Sequence, residues 1–436
     1  MKIALLGNMN NNNFALLRYF RDLGVEADLL LMLDDGVDNL SHFSPESDTW
    51  DIGKWSAYIK QLAAPNRFIS AIGNEFPWNI LFWARFVLYI GPWKARSAMR
   101  PIDKKVTLAQ LEGYDYYIGS GITPALLDSI GIPLDVFYPY SAGVEWFSAE
   151  NMRHMLSSGG APLYRRTARR VMEKQISGIK KARLVFSSDY GYTFSALRSI
   201  GIKPYFLQIP MVYLENTPPR LPARVQNILD RLSGFDFKLI SHARHMWVNP
   251  ADSDPQVWDD LYSKHNDWLI RAYASFLHGY SGNALLLLCE YGTDVAASKE
   301  LCETLGITDN VLWTPKLPRV ELLSLISACD VGIGQFYSVP LMLWGGTALE
   351  IMASGKPVIQ GFKFDGAAYE TIYRQPRPPL CQANSESEIE GWLKSLAESW
   401  EFRTDIGERS RQWFDEYGGV QLAKRWLDLL GGNEQS

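Results

Sequence analysis

The chain has 436 residues, more than one ordinary core accommodates, and its 47% hydrophobic and 21% charged residues describe a folded globular protein of two domains. A net charge of −5 offers no global attraction for nucleic acid. The opening MKIALLGN is too short an apolar run for a secretory signal, and no uninterrupted apolar segment reaches membrane-spanning length.

In chain order, residues 2–6 read as an apolar strand that runs into Gly7-Asn8-Met9-Asn10-Asn11-Asn12-Asn13 and a helix over 14–23. A second strand, 29–33, ends at Asp34-Asp35. Strand, small polar loop and helix open a Rossmann-like unit, and the asparagines suit capping of the helix. No GxGxxG is present, so a dinucleotide site is unsupported. Residues 40–105 break the rhythm. Within them FPWNILFWARFVLYIGPW, residues 76–93, precedes Lys94, Arg96, Arg100, Lys104 and Lys105. It reads as a buried helix or as a segment at a membrane interface or a lipid-linked acceptor, where aromatics and flanking cations suit headgroups.

The βα pattern returns with strands over 114–119 and 134–138 around a helix at 124–130. Arg165, Arg166, Arg169 and Arg170 then share one side of a helix that also carries Lys174, Lys180 and Lys181. A solvated face accounts for such a run, and so does attraction to anionic lipid or a phosphate-bearing acceptor. A strand at 183–188, a helix at 192–200 and a strand at 203–209 close the first domain, and NTPPRLP, residues 216–222, connects it to the second.

The second domain opens with a strand at 237–241 leading into His242-Ala243-Arg244. Strands at 284–288, 311–313 and 330–333 alternate with helices at 296–305 and 319–328. Gly345-Gly346-Thr347 then leads a helix over 348–356, stopped by Gly355 before a buried strand at 357–359. That arrangement suits a phosphorylated ligand: glycines allow close backbone approach, helix-start N–H groups attract an anion, and the Glu350 carboxylate can accept from sugar hydroxyls. A glycine pair before a helix is equally an ordinary structural device. Glu370 is expected to begin and cap a further helix, and a final helix spans 420–430. The cysteines Cys289, Cys302, Cys329 and Cys381 lack metal-ligand spacing and read as buried, reduced thiols of a cytosolic protein. HExxH, Walker and GxSxG motifs are absent, as is any His/Cys cluster.

Leu305-Gly306-Ile307-Thr308-Asp309-Asn310-Val311, Ala328-Cys329-Asp330-Val331 and especially Leu349-Glu350-Ile351-Met352-Ala353-Ser354-Gly355-Lys356-Pro357-Val358-Ile359 resemble the donor half of GT-B glycosyltransferases. Within these, the similarity is to the retaining family 4, glycosyl transferases group 1, of bacterial polysaccharide and lipopolysaccharide enzymes. It is densest over 235–365 and thinnest over 1–180.

The resemblance implies an α/β, GT-B fold: two Rossmann-like domains whose parallel sheets face across a cleft. Residues 1–215 would be the acceptor-binding domain with an irregular insert at about 40–105, 216–234 a linker, 235–415 the nucleotide-sugar domain, and 416–436 a helix crossing back plus a tail. It further implies transfer from a nucleotide sugar to a glycan or lipid-linked acceptor with retention, without metal or other cofactor, in the cytoplasm or on the inner membrane face. An Asp-x-Asp loop of a metal-dependent transferase is not formed by adjacent Asp34-Asp35. Arg244 and Lys264 resemble the two cations that hold the diphosphate, whose leaving-group charge they would stabilise. Glu350 matches the ribose-binding glutamate, with Gly345, Gly346, Thr347, Asn10 and Leu317 around the donor. Two departures stand out. Met342 occupies the place of a second glutamate, and Val136–Gly143 lacks the family's histidine, leaving Tyr140 or Ser141 in its place on the acceptor side. These departures keep open two alternatives: an epimerase or phosphorylase on the same fold, and a non-catalytic glycan- or partner-binding subunit.

Overall fold

Leucine-, valine- and isoleucine-rich runs buried on both faces form parallel strands, the pattern expected when helices cover both sides of a sheet. The structure is a computed structural model describing residues 1–31, 44–62, 104–139, 162–187, 192–215, 220–337, 345–362 and 366–431. Residues 76–93, Asp34, Asp35, Tyr140, Ser141 and Met342 lie outside them. Two units partition the chain: unit 1 comprises Met1–Ser47, Asp51–Pro210 and Ala423–Ser436, and unit 2 comprises Asp48–Trp50 and Met211–Leu422.

Unit 1 holds β1 (Lys2–Leu6), β2 (Glu26–Leu31), β3 (Ile59–Gln61), β4 (Tyr116–Gly119), β5 (Val136–Phe137), β6 (Leu184–Ser187) and β7 (Tyr205–Phe206). Their order in the sheet is β3-β2-β1-β4-β5-β6-β7. Ala4, Leu6, Leu30, Phe137, Val185 and Leu197 share its core. The basic helix Pro162–Lys181 packs against Thr123–Ile130 so closely that a Cβ on Gly178 would lie 2.2 Å from the Pro124 carbonyl oxygen. Lys174 and Lys181 of the basic run turn onto buried Asp128 of that neighbour, at 2.9 and 2.5 Å. Arg169 and Lys180 are exposed. From Ala423 onward the last helix, Val420–Leu430, belongs to unit 1. Its fully buried Trp426 donates from Nε1 to the Gln208 carbonyl at 2.8 Å and meets Tyr138 and Phe186 edge-on.

Unit 2 holds β8 (Phe237–Ser241), β9 (Ala284–Glu290), β10 (Val311–Pro315), β11 (Val331–Ile333), β12 (Val358–Gln360) and β13 (Cys381–Gln382), in the order β10-β9-β8-β11-β12-β13. Leu239, Leu286, Leu288, Val331, Ile333 and Ile359 lie at its centre, and helix Asn266–Gly279 covers one face through Leu269, Ile270, Tyr273 and Phe276. All four cysteines are buried and free. Two local readings differ. Inside the stretch expected as linker, Ala223–Leu232 is a helix that buries Val225 and Leu232, and its Arg224 forks onto fully buried Glu321 at 3.1 and 2.5 Å. Glu370 is exposed in the second turn of helix Gly366–Tyr373, so it caps nothing; the helix starts four residues earlier than its glutamate suggested.

Candidate functional site

In each sheet the strand order reverses beside the first strand, between β1 and β4 in unit 1 and between β8 and β11 in unit 2. Loops leaving the carboxyl ends of strands at such a reversal diverge, and the opening they leave is where open α/β sheets bind ligands. In unit 2 the chain leaving β8 supplies His242, Ala243 and Arg244, and the chain leaving β11 supplies Gly334 and Gln335. Helix Gly346–Ala353 starts beyond β11, with Gly345 in an extended conformation and no side chain capping it. Among the described residues no side chain of the N-cap position meets its first-turn N–H groups, the groups by which a helix start can receive an anion. A Cβ on Gly345 would sit 3.0 Å from the Gln335 amide nitrogen, so glycine lets the helix begin close to the β11 loop.

The two sequence-identified cations belong to this end of the sheet. Arg244 is exposed; its Nη2 donates to the Tyr291 hydroxyl at 2.7 Å, and its guanidinium stands 5.0 Å from the Tyr291 ring centre. Lys316 approaches the same ring at 5.3 Å, and its neighbour Leu317 is half-buried. Lys264 is tied through its backbone to both loops, its N–H donating to the Met246 carbonyl and its carbonyl accepting from Phe336. Its ammonium lies 4.8 Å from the Tyr337 ring centre. Burial, and then the charge of Arg244, push the Lys264 ammonium down from 10.5 to about 8. The next residue, His265, holds a left-handed backbone, φ 47°, with its ring stacked 3.9 Å from Trp268. Gly292, at φ 124°, lets the loop after β9 pass against His245, whose carbonyl oxygen would be 2.2 Å from any Cβ there.

Glu350 is placed beneath these loops, 6% exposed. Arg319 donates from Nε to Oε1 at 2.5 Å, and His242 Nε2 lies 2.6 Å from Oε2. Arg319 also donates from Nη1 to Asp48, the second carboxylate of the cluster, and to the Met211 carbonyl at 3.0 Å. Burial alone would raise the Glu350 carboxyl, but Arg319 and His242 outweigh it and hold it down from 4.5 to about 2. Glu350 is thus a fixed anion inside an ion cluster rather than an open carboxylate. Sequence reasoning missed the cluster: Arg319 stood in view as the last residue of Lys316-Leu317-Pro318-Arg319, yet nothing in its spacing points to Asp48, far back in the chain.

In unit 1 Asn10 stands in the loop after β1 with φ 53°, followed by Asn11 at φ 58°. Asn8 accepts from the Phe14 N–H at 3.0 Å, capping the helix Asn12–Asp22, and Asn13 donates to the Leu6 and Gly7 carbonyls. Gly346, Thr347, Leu317, Arg244, Lys264 and Glu350 all belong to unit 2, and Asn10 to unit 1. A surface cavity of about 370 Å³ between Arg21, Lys54, Trp55 and Tyr58 borders Glu26, at the amino end of β2 and so opposite to the loops described.

The family of glycosyl transferases group 1 matches residues 260–413, which include Lys264, Tyr291, Arg319 and Glu350. An uncharacterized glycosyltransferase of Haemophilus influenzae is 22% identical over 202 residues, 46% of this chain and 51% of the relative, so the chain spans about half the length of that relative. Among solved structures, Anabaena HepE in complex with UDP and glucose is similar at 16% identity and a TM-score of 0.57, over 99% of this chain and 100% of that one. Sucrose-phosphate synthase from Thermosynechococcus elongatus is similar at 13% identity and a TM-score of 0.55, over 99% of both chains. At such identities the structural likeness speaks for fold alone. The two parallel-sheet units share the GT-B fold of those structures, and residues 260–413 are similar to the glycosyl transferases group 1.

Proposed function

We propose that the protein transfers a glycosyl group from a nucleotide sugar to a hydroxyl of a glycan or lipid-linked acceptor, with retention of configuration. The observation that carries this reading is the pairing of Arg244 and Lys264 at the strand-order reversal of unit 2, beside the uncapped start of helix Gly346–Ala353. Two cations and helix-start N–H groups at one sheet end suit a diphosphate, and they act most strongly when it departs with the electrons of the anomeric C–O bond. The acceptor oxygen forms its bond to the anomeric carbon on the face the diphosphate leaves, and its proton passes to the departing phosphate oxygen. No step calls for a metal, since the leaving charge has cationic side chains to meet it. On the acceptor side, exposed Arg169 and Lys180 suit peripheral contact with an anionic membrane. Among the described residues no helix is long and apolar enough to cross one.

Calorimetric titration with UDP, ADP, GDP and their sugars, with EDTA present, tests the donor reading. One nucleotide should bind, and both Lys264→Ala and Arg244→Ala should weaken it at least tenfold. Failure of every nucleotide to bind would leave the fold as a scaffold for another ligand.

A further inference from the structure

Both Glu350 oxygens are engaged, one by Arg319 and the other by His242, and the residue is 6% exposed. The ionised carboxylate is an acceptor only, so His242 must carry its proton on Nε2, the nitrogen 2.6 Å from Oε2. That leaves Nδ1. It is buried and has no hydrogen-bond partner among the described residues, while its side chain as a whole is 7% exposed. A buried ring nitrogen without a partner costs stability unless something supplies the missing bond. His242 is also the first residue beyond β8, the strand at the order reversal, and two positions before Arg244.

We propose that His242, through Nδ1, is the residue that binds a ribose hydroxyl of a nucleoside diphosphate, and that Glu350 is a positioning residue acting through it. A hydroxyl both donates and accepts, so it can pair with an imidazole nitrogen whose state is set from the other side of the ring. Arg319 then serves to keep Glu350 ionised, and Asp48 to hold Arg319. This rests on the nucleotide-sugar reading above and changes which atom of that site meets the ribose.

Two substitutions separate the ring nitrogens. In His242→Gln a polar group reaches the Nε2 position and can still donate to Glu350, but nothing remains at Nδ1. In His242→Asn the amide sits where Nδ1 was and falls short of Glu350. UDP, ADP and GDP, each beside its dideoxyribose analogue, are titrated against wild type and both variants by calorimetry, with melting followed in parallel. Wild type should prefer the ribonucleotide about tenfold or more. His242→Gln should lose that preference while melting near the wild-type temperature, and His242→Asn should keep most of it despite a lower melting temperature. Retention of the preference in His242→Gln, or its loss in folded His242→Asn, overturns the inference while the donor reading stands. Absence of binding by all three ribonucleotides to wild type overturns both.

Discussion

The two units answer the same topological feature with different chemistry. Where the strand order of unit 2 reverses, the loops carry Arg244 and Lys264 above a buried Arg319–Glu350–His242–Asp48 cluster. Where that of unit 1 reverses, the loop after β1 is built of asparagines, with Asn8, Asn11, Asn12 and Asn13 buried and uncharged. Asparagine amides bond to nearby backbone and tolerate left-handed conformations, so they shape a tight polar loop without a net field. At the strand-order reversals, cationic side chains are therefore found in the loops of unit 2 and uncharged amides in the loop of unit 1.

The sharpest break of this contrast is Arg319→Ala. It leaves Glu350 and Asp48 buried without the guanidinium they share, and removing one partner of a buried ion pair typically costs about 3–5 kcal/mol. Urea unfolding at pH 7 should show a loss of that size; a loss under about 1 kcal/mol would mean that water reaches the cluster. Acid should produce a related effect. The Glu350 carboxyl titrates at about 2 in the fold against 4.5 for the free side chain, so its contribution is complete above 4.5 and is lost as pH falls through 2. A shift of that size corresponds to about 3 kcal/mol. In unit 1 Asp28 is also held low, its burial outweighed by Lys60 and Tyr114, but Lys60 is nearly half exposed and solvent weakens the pair. Urea midpoints at pH 7, 5 and 3 should fall most steeply between the last two, and Glu350→Gln should flatten that fall.

The same contrast explains what could be read from the residues alone. Strand 237–241 and helix 319–328 match the structure residue for residue, because a buried parallel strand and a helix with Leu322, Leu325 and Ile326 three and four residues apart announce themselves locally. Strand 203–209 contracted to Tyr205–Phe206, since an apolar run ending in proline does not reveal how much of it finds a neighbour. Glu350 stood out through its position after the glycines. Its engagement by Arg319 and His242, and theirs with Asp48, depends on contacts between distant segments, and no local period encodes those. His242 was passed over for Arg244 two residues on, although a histidine directly after a central strand was the available signal.

A smaller effect is expected in unit 1. Asn11 accepts from Asn8, donates to the Ser44 carbonyl and the Ser47 hydroxyl, and sits at φ 58°. Asn11→Ala loses those bonds and with them asparagine's tolerance of a left-handed backbone, together about 2 kcal/mol. Asn11→Gly removes the backbone part and should recover about 1 kcal/mol of it. If both substitutions cost the same, the loop owes nothing to its backbone conformation and the asparagines act through their amides alone.

The mildest test concerns charge in unit 2. Lys264 is depressed to about 8 by burial and by Arg244, so it is mostly ammonium at pH 7 and mostly neutral at pH 9. Affinity for a nucleotide sugar should therefore fall roughly tenfold from pH 7 to pH 9, a range in which its diphosphate, esterified at both ends, does not titrate. Lys264→Arg carries a cation that does not titrate there, so the pH dependence should disappear even if the longer side chain binds less well at pH 7. A wild-type affinity that is flat across this range would place the ammonium away from the phosphates, and the anion would then be held by Arg244 and the start of helix Gly346–Ala353 alone.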